Sequence, residues 1–118
     1  MDFVLIGFGG ALGSIARYKL GSIISSKSKS SIPVGTFIIN ITGAFLLGIL
    51  SGANTNRSIS LLFADGFLGA YTTFSTFMYE GFTLFKDKKF NAAVYILSSI
   101  VLGVLGFAAG FLIGSKFF

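Results

Sequence analysis

The residues best equipped for chemistry in this chain lie together in Thr72-Thr73-Phe74-Ser75-Thr76-Phe77. Four hydroxyls and two phenyl rings occupy this run, and Gly69 stands three positions before it. Side-chain hydroxyls compete for backbone groups, so such a run loosens a helix. Loosened backbone presents carbonyls and N–H groups together, a means of binding an ion within a membrane. Phe74 and Phe77 are spaced i, i+3 and share a face wherever the backbone is helical. Their rings are either packing material or, through the positive edge of the aromatic quadrupole, weak contacts for an anion.

Other candidates are spread along the sequence. Asn40 lies one turn from Thr36, with Gly43 on the same face. Its amide can join helices or supply two N–H donors to an anion. Glu80 continues the line of Phe74 and Phe77 by another three positions. An ionisable residue inside an apolar segment is a functional candidate, although Glu80 is near enough to the segment's end to reach the interface. Asp65 sits early in the same segment, where a carboxylate is favourable near a helix N-terminus. Tyr95 and Ser99 share a face and could extend a polar track. Arg17 is a snorkelling anchor or an electrostatic attractor at a pore mouth. Two carboxylates in separate turns, with no His, no Cys and no phosphate-binding loop, assemble no catalytic site, so an enzyme is not expected.

The elements that must position these residues are apolar helices. Hydrophobic residues make up 53% of the 118 positions and charged ones 11%, against about 25% charge in soluble domains. Span 1 is read from about Phe3 to Ile24, span 2 from Ile32-Pro33 to about Ala53, span 3 from about Ile59 to Phe82 and span 4 from Phe90 to Ser115. Each is long enough to cross a hydrocarbon core of roughly 30 Å. Residues 25–31, 54–57 and 86–89 are read as the connecting loops. Span 1 begins with Asp2 instead of basic residues, and three similar segments follow, which favours a span over a cleaved leader. The expected fold class is an all-α membrane protein: residues 1–118 form one four-helix unit whose third helix is broken. Glycine rows at Gly9/Gly13, Gly48/Gly52 and Gly103/Gly106/Gly110/Gly114 predict close helix packing. The net charge of +5 sits at helix ends and in loops, a topology signal; nucleic acid is not an expected partner.

Read together, several motifs resemble one family over the whole chain. They are Gly9-Gly10-Ala11-Leu12-Gly13 with Arg17-Tyr18, Pro33-Val34-Gly35-Thr36-Phe37 with Asn40 and Gly43, and Gly66, Gly69 and Thr72-Thr73-Phe74-Ser75-Thr76-Phe77. The chain resembles the Fluc-type (CrcB) fluoride channels; Tyr71 stands where a smaller apolar residue is expected. The resemblance implies a plasma-membrane subunit that exports fluoride passively and so lowers its toxicity. It implies an antiparallel dimer with two fluoride pores and a structural sodium ion at its centre. Phe74 and Phe77 would line each pore with Asn40 and the hydroxyls of Ser75 and Thr76, while Glu80, Tyr95 and Ser99 match positions on the polar route. The backbone carbonyls of Gly69 and Thr72 from both subunits would hold the sodium.

Elementary physics agrees with that implication. A small, strongly hydrated anion needs several converging donors in place of water, without a fixed charge that traps it. A passive pore suffices, because a negative interior favours anion exit by about 2.3 kcal/mol per 100 mV. A small multidrug or guanidinium exporter fits less well, since it expects an acid in span 1 and an aromatic cage, and this chain has neither an acid there past Asp2 nor any Trp. A non-transporting assembly subunit is the third class. Arg17, Lys19, Lys27, Lys29, Lys86, Lys88 and Lys89 fall on one side of a four-span arrangement and Arg57 and Lys116 on the other, so the positive-inside rule puts both termini outside. Antiparallel pairing of one sequence works best near zero bias, which makes the second subunit either an identical copy or a paralogue of opposite bias.

Overall fold

The computed structural model describes residues 2–28 and 32–118. Helix is the regular structure among them. α1 covers Asp2–Lys27 and α2 covers Val34–Ala53. A short α3, Arg57–Ile59, leads into a π-helical stretch, Ser60–Leu68, and then α4, Gly69–Tyr71. α5 covers Phe74–Asp87 and α6 covers Lys89–Phe117. Three of these, α1, α2 and α6, are long and apolar enough to cross a membrane. At 1.5 Å per residue the 20 residues of α2 reach about 30 Å, the thickness of the hydrocarbon core. The molecule is 46 Å along its longest axis, close to a whole bilayer with its headgroup regions.

The expected connections shrink. Ser25, Ser26 and Lys27 belong to the last turn of α1, and the Ser26 hydroxyl donates to the Ile23 carbonyl at 2.9 Å. That local bond lets a serine-rich end stay helical; Lys29, Ser30 and Ser31 lie outside the described residues. Lys86 and Asp87 complete α5 and Lys89 begins α6, so Lys88 alone separates them. The turn after α2 is as the composition suggests. Asn54 takes the left-handed conformation, φ 58°, that ends helices, and the Asn56 side chain caps α3 by accepting from Ile59 N at 2.9 Å. Asp2 pairs with Arg57 across this exposed end.

Two glycine seams join the helices in parallel pairs. A Cβ added at Gly48 or Gly52 would strike the carbonyl of Phe107 or Phe111, and one at Gly110 or Gly114 the carbonyl of Phe45 or Ile49. Partners rise together along both helices, so α2 and α6 run parallel in backbone contact. Likewise Gly9 abuts the Leu62 carbonyl and Gly13 the Phe67 carbonyl, which sets α1 parallel to the 60–71 segment. Small residues allow this approach where the solvent gives no hydrophobic drive. Gly103 is a correction: nothing lies within 4 Å of its would-be Cβ, so the α6 row starts in earnest lower down, at Gly106.

The apolar pattern of residues 60–68 gives no sign of their π-helical winding. Nine residues of π-helix are unusual, since most π segments are single turns, often beside functional sites. Its last turn is shared by Gly69, whose N–H reaches both Ala64 O and Gly66 O. Asp65 lies exposed on this stretch and not in a first α-helical turn.

Candidate functional site

Departure from helix in the hydroxyl-rich run is confined to two residues. Thr72 (φ −82°, ψ 157°) and Thr73 (φ −146°, ψ 118°) are extended, whereas Phe74 to Phe77 form the first turn of α5. The break rearranges a small set of hydrogen bonds. An unbroken helix would aim the Thr73 N–H at the Gly69 carbonyl and the Thr76 N–H at the Thr72 carbonyl. Here Thr73 N donates to Asn40 Oδ1 at 3.0 Å, and Thr76 N donates to the Thr73 hydroxyl at 3.2 Å. The Gly69 and Thr72 carbonyls are thereby released from those helical donors. Thr72 stays attached to the turn before it, through both its N–H and its hydroxyl, to the Leu68 carbonyl.

Asn40 is the clamp. Its Nδ2 donates to the Thr73 carbonyl at 3.1 Å while its Oδ1 accepts from the Thr73 N–H, which fixes the amide's orientation by complementarity. One residue of extended backbone has both polar groups satisfied by one side chain. The amide carries a second N–H beyond these two bonds, so Asn40 joins α2 to the break and retains a donor. The stripe Thr36, Asn40 and Gly43 meets the 72–80 region in register. Thr36 Oγ1 donates to Glu80 Oε1 at 2.5 Å, and the would-be Cβ of Gly43 collides with the Thr72 methyl.

Several sequence candidates converge. Asn40, Phe74, Phe77 and Ser99 line one opening of 200 Å³. The Phe74 and Phe77 rings lie 6.3 Å apart, tilted by 47°, so the shared face expected from their spacing exists. They differ in burial: Phe77 is 8% exposed and Phe74 75%. Tyr95 is fully buried behind Phe77, ring to ring at 5.2 Å, with Phe37 6.5 Å away on another side. The Tyr95 hydroxyl and Ser99 Oγ are enclosed without a hydrogen-bond partner among the described residues. Enclosed, unpaired hydroxyls cost about 1–3 kcal/mol each unless something pairs with them.

Other candidates stand apart from that opening. Thr76 and Arg17 line a groove of 360 Å³ with Thr36 and Thr73, on the α1 side of the break. Glu80 lines a second open groove with Ser25, Pro33 and Tyr79 at the end where α1 and α5 finish. Gly69 and Thr72 line a third groove, of 370 Å³, with Gly43, Ala64 and Phe74. Ser75 is exposed in the first turn of α5 and lines none of these. Among the described residues no three Asp, Glu, His or Cys side chains converge. The N-terminal end of α5, with its partial positive charge, opens at the break. The openings around the break gather an amide, hydroxyls, aromatic rings and backbone oxygens, without a cluster of carboxylates among the described residues.

Comparison with known proteins places this arrangement. Residues 4–111 match the family described as CrcB-like protein, Camphor Resistance (CrcB). The chain is 66% identical over 111 residues to fluoride-specific ion channel FluC 2 of Clostridium acetobutylicum, covering 93% of this chain and 95% of that one. It is 44% identical over 118 residues to FluC 1 of Carboxydothermus hydrogenoformans, covering 99% and 96%, and 38% identical over 120 residues to FluC of Thermosipho melanesiensis, covering 97% and 96%. With three apolar helices long enough to span a bilayer and a match over nearly its full length, the chain is a multi-pass membrane protein of the CrcB (FluC) family, whose named members are ion channels and not enzymes.

Proposed function

We propose that this protein is a fluoride-selective channel subunit of the plasma membrane that lets fluoride leave the cytoplasm passively. The observation that carries this reading is the Asn40–Thr73 clamp, which satisfies the broken backbone beside Phe74, Phe77 and Ser99 without a fixed charge. Residues 57–87 act as one membrane span interrupted at Thr72-Thr73, parallel to α1, so that four spans cross the bilayer. Fluoride passes the remaining Asn40 N–H, the edges of Phe74 and Phe77, and the hydroxyls of Ser75, Thr76, Ser99 and Tyr95. The unpaired state of the Tyr95 and Ser99 hydroxyls supports a hydrated or ionic occupant. Glu80, held by Thr36, lies toward the end of this route where α1 and α5 finish, and Arg17 raises the local anion concentration at a mouth. HF enters cells as a neutral acid and dissociates inside; the membrane potential then drives the anion out.

The same reading includes an antiparallel dimer with two pores. The groove holding Gly43, Gly69, Thr72 and Phe74 is the face a second subunit covers. The Gly69 and Thr72 carbonyls, released from the helix, fit a sodium ion because a hard cation takes backbone oxygens without needing carboxylates. Bound there, sodium supplies positive charge that holds the paired breaks together. Thr72→Ser keeps that carbonyl and should leave cation density at the two-fold axis unchanged; an empty axis contradicts the assignment. The charge bias of seven against two favours a paralogue of opposite bias as the partner, with an identical copy as the alternative. Equal signal from cytoplasmic and external C-terminal reporters, in cells lacking any related chain, would show dual insertion and remove the need for a paralogue.

Liposomes containing the purified protein decide the main reading. Ion-selective electrodes should register fluoride release with chloride retained. Release of both ions alike, or of neither, would sink it.

A further inference from the structure

We infer that Tyr71 is a positioning residue for ion passage, acting through a hydroxyl pair with Thr42 that sets the end of α4 against α2; the inference rests on the channel reading above. Tyr71 is the last residue before the extended pair and is 5% exposed. Its ring stacks on Phe67, with centroids 5.7 Å apart and planes 18° from parallel. Its hydroxyl lies 3.0 Å from Thr42 Oγ1. Thr42 Oγ1 also lies 2.8 Å from the Ile38 carbonyl and 3.1 Å from the Ile39 carbonyl. A hydroxyl has one proton, and carbonyls only accept. The Thr42 proton therefore goes to those carbonyls, and Tyr71 is the donor to Thr42.

This pair complements the Asn40 clamp. Two residues of one short stretch of α2 hold the two ends of the break: Thr42 takes Tyr71 and Asn40 takes Thr73. Between them, Thr72 packs into the space that Gly43 leaves. Asn40 fixes Thr73 directly, while α4 is held by its packing on α1, and the Tyr71–Thr42 bond is the side-chain tie to α2 that limits small rotations of the turn. Such rotation swings the Gly69 and Thr72 carbonyls and, through the extended pair, the start of α5 with Phe74 and Phe77. The Tyr71 hydroxyl restrains that rotation from the α2 side, and the flat stack on Phe67 holds the ring at its angle.

The chemistry supplies a clean deletion. Tyr71→Phe keeps the stack and the burial and strands no donor, because Thr42 retains its carbonyl bond. Thr42→Val, in contrast, strands the buried Tyr71 hydroxyl, so it should be less stable than the double variant Thr42→Val/Tyr71→Phe, which strands nothing. Thr42→Ser keeps the acceptor and should behave as the unsubstituted protein.

Single-channel recording in planar bilayers tests the inference, since a purely structural role changes how many channels are active but not the current through each. In Tyr71→Phe the unitary fluoride current should fall by about fivefold, the scale of one neutral hydrogen bond, with unchanged subunit assembly and a thermal midpoint lowered by no more than the loss of that one bond. Thr42→Ser should retain full current. An unsubstituted protein that conducts fluoride, with unchanged unitary current in Tyr71→Phe, overturns this inference alone. If the unsubstituted protein carries no fluoride, the channel reading falls and this one with it. Should Tyr71→Phe fail to assemble, the stability order of Thr42→Val and the double variant decides: equal stability refutes the hydroxyl pair.

Discussion

α2 meets the rest of the molecule through two faces built on opposite principles. Toward α6 it offers Phe45, Gly48, Ile49 and Gly52, and helix backbones touch with little between them. Toward the 71–80 region it offers Thr36, Asn40, Thr42 and Gly43, and all three side chains hydrogen-bond across the gap. The first face demands absence of side chain and is indifferent to polarity. The second demands specified donors and acceptors, because the extended backbone at Thr73 has left its helical partners and its polar groups must be paired elsewhere. A rigid glycine seam thus holds the frame, and the polar face sets the geometry of the site.

Substitutions can break that contrast in order of effect. The largest losses should come from Phe74→Ile and Phe77→Ile, each abolishing or sharply reducing fluoride release while the subunits remain assembled. Ile removes the aromatic edge and keeps much of the volume. The two should part in stability: exposed Phe74 should cost little, whereas buried Phe77 loses its contact with Tyr95 and should cost on the order of 1 kcal/mol. Release by liposomes and a thermal melt on the same samples measure both. A ring whose loss changes no flux reverts to packing.

Asn40→Asp should come next. The carboxylate has no donor for the Thr73 carbonyl and puts like charge beside a passing anion, so flux should fail and stability drop by about 1–3 kcal/mol. Undiminished flux would show that the amide donors are dispensable. Gly110→Ala drives a Cβ at the Phe45 carbonyl and should cost roughly 1–3 kcal/mol, read as fewer active channels with ordinary unitary current. Gly103→Ala, where the space is open, should melt within about 0.5 kcal/mol of the unsubstituted protein. Equal effects at the two glycines would deny that the seam is specific. The smallest change on flux is expected from Thr36→Val, which frees the Glu80 carboxylate yet leaves the break itself untouched.

Composition and spacing alone identified an all-helical membrane protein, the Phe74/Phe77 face and the α2 stripe of Thr36, Asn40 and Gly43, because hydropathy and the 3.6-residue period act locally. The hydroxyl run announced that helix would be disturbed near Thr72, since its competing groups are adjacent in the chain. Tertiary structure decided the rest. Which two residues leave the helix depends on Asn40, 33 positions away, being placed to take both polar groups of Thr73. The π-helical stretch, the Thr36–Glu80 bond and the Tyr71–Thr42 pair are likewise settled by partners distant in sequence. Gly106, Gly110 and Gly103 look alike in sequence at their regular spacing, yet a carbonyl of α2 comes within reach of the first two and not of the third. Periodicity says which residues share a face; only the approach of another helix says what that face meets.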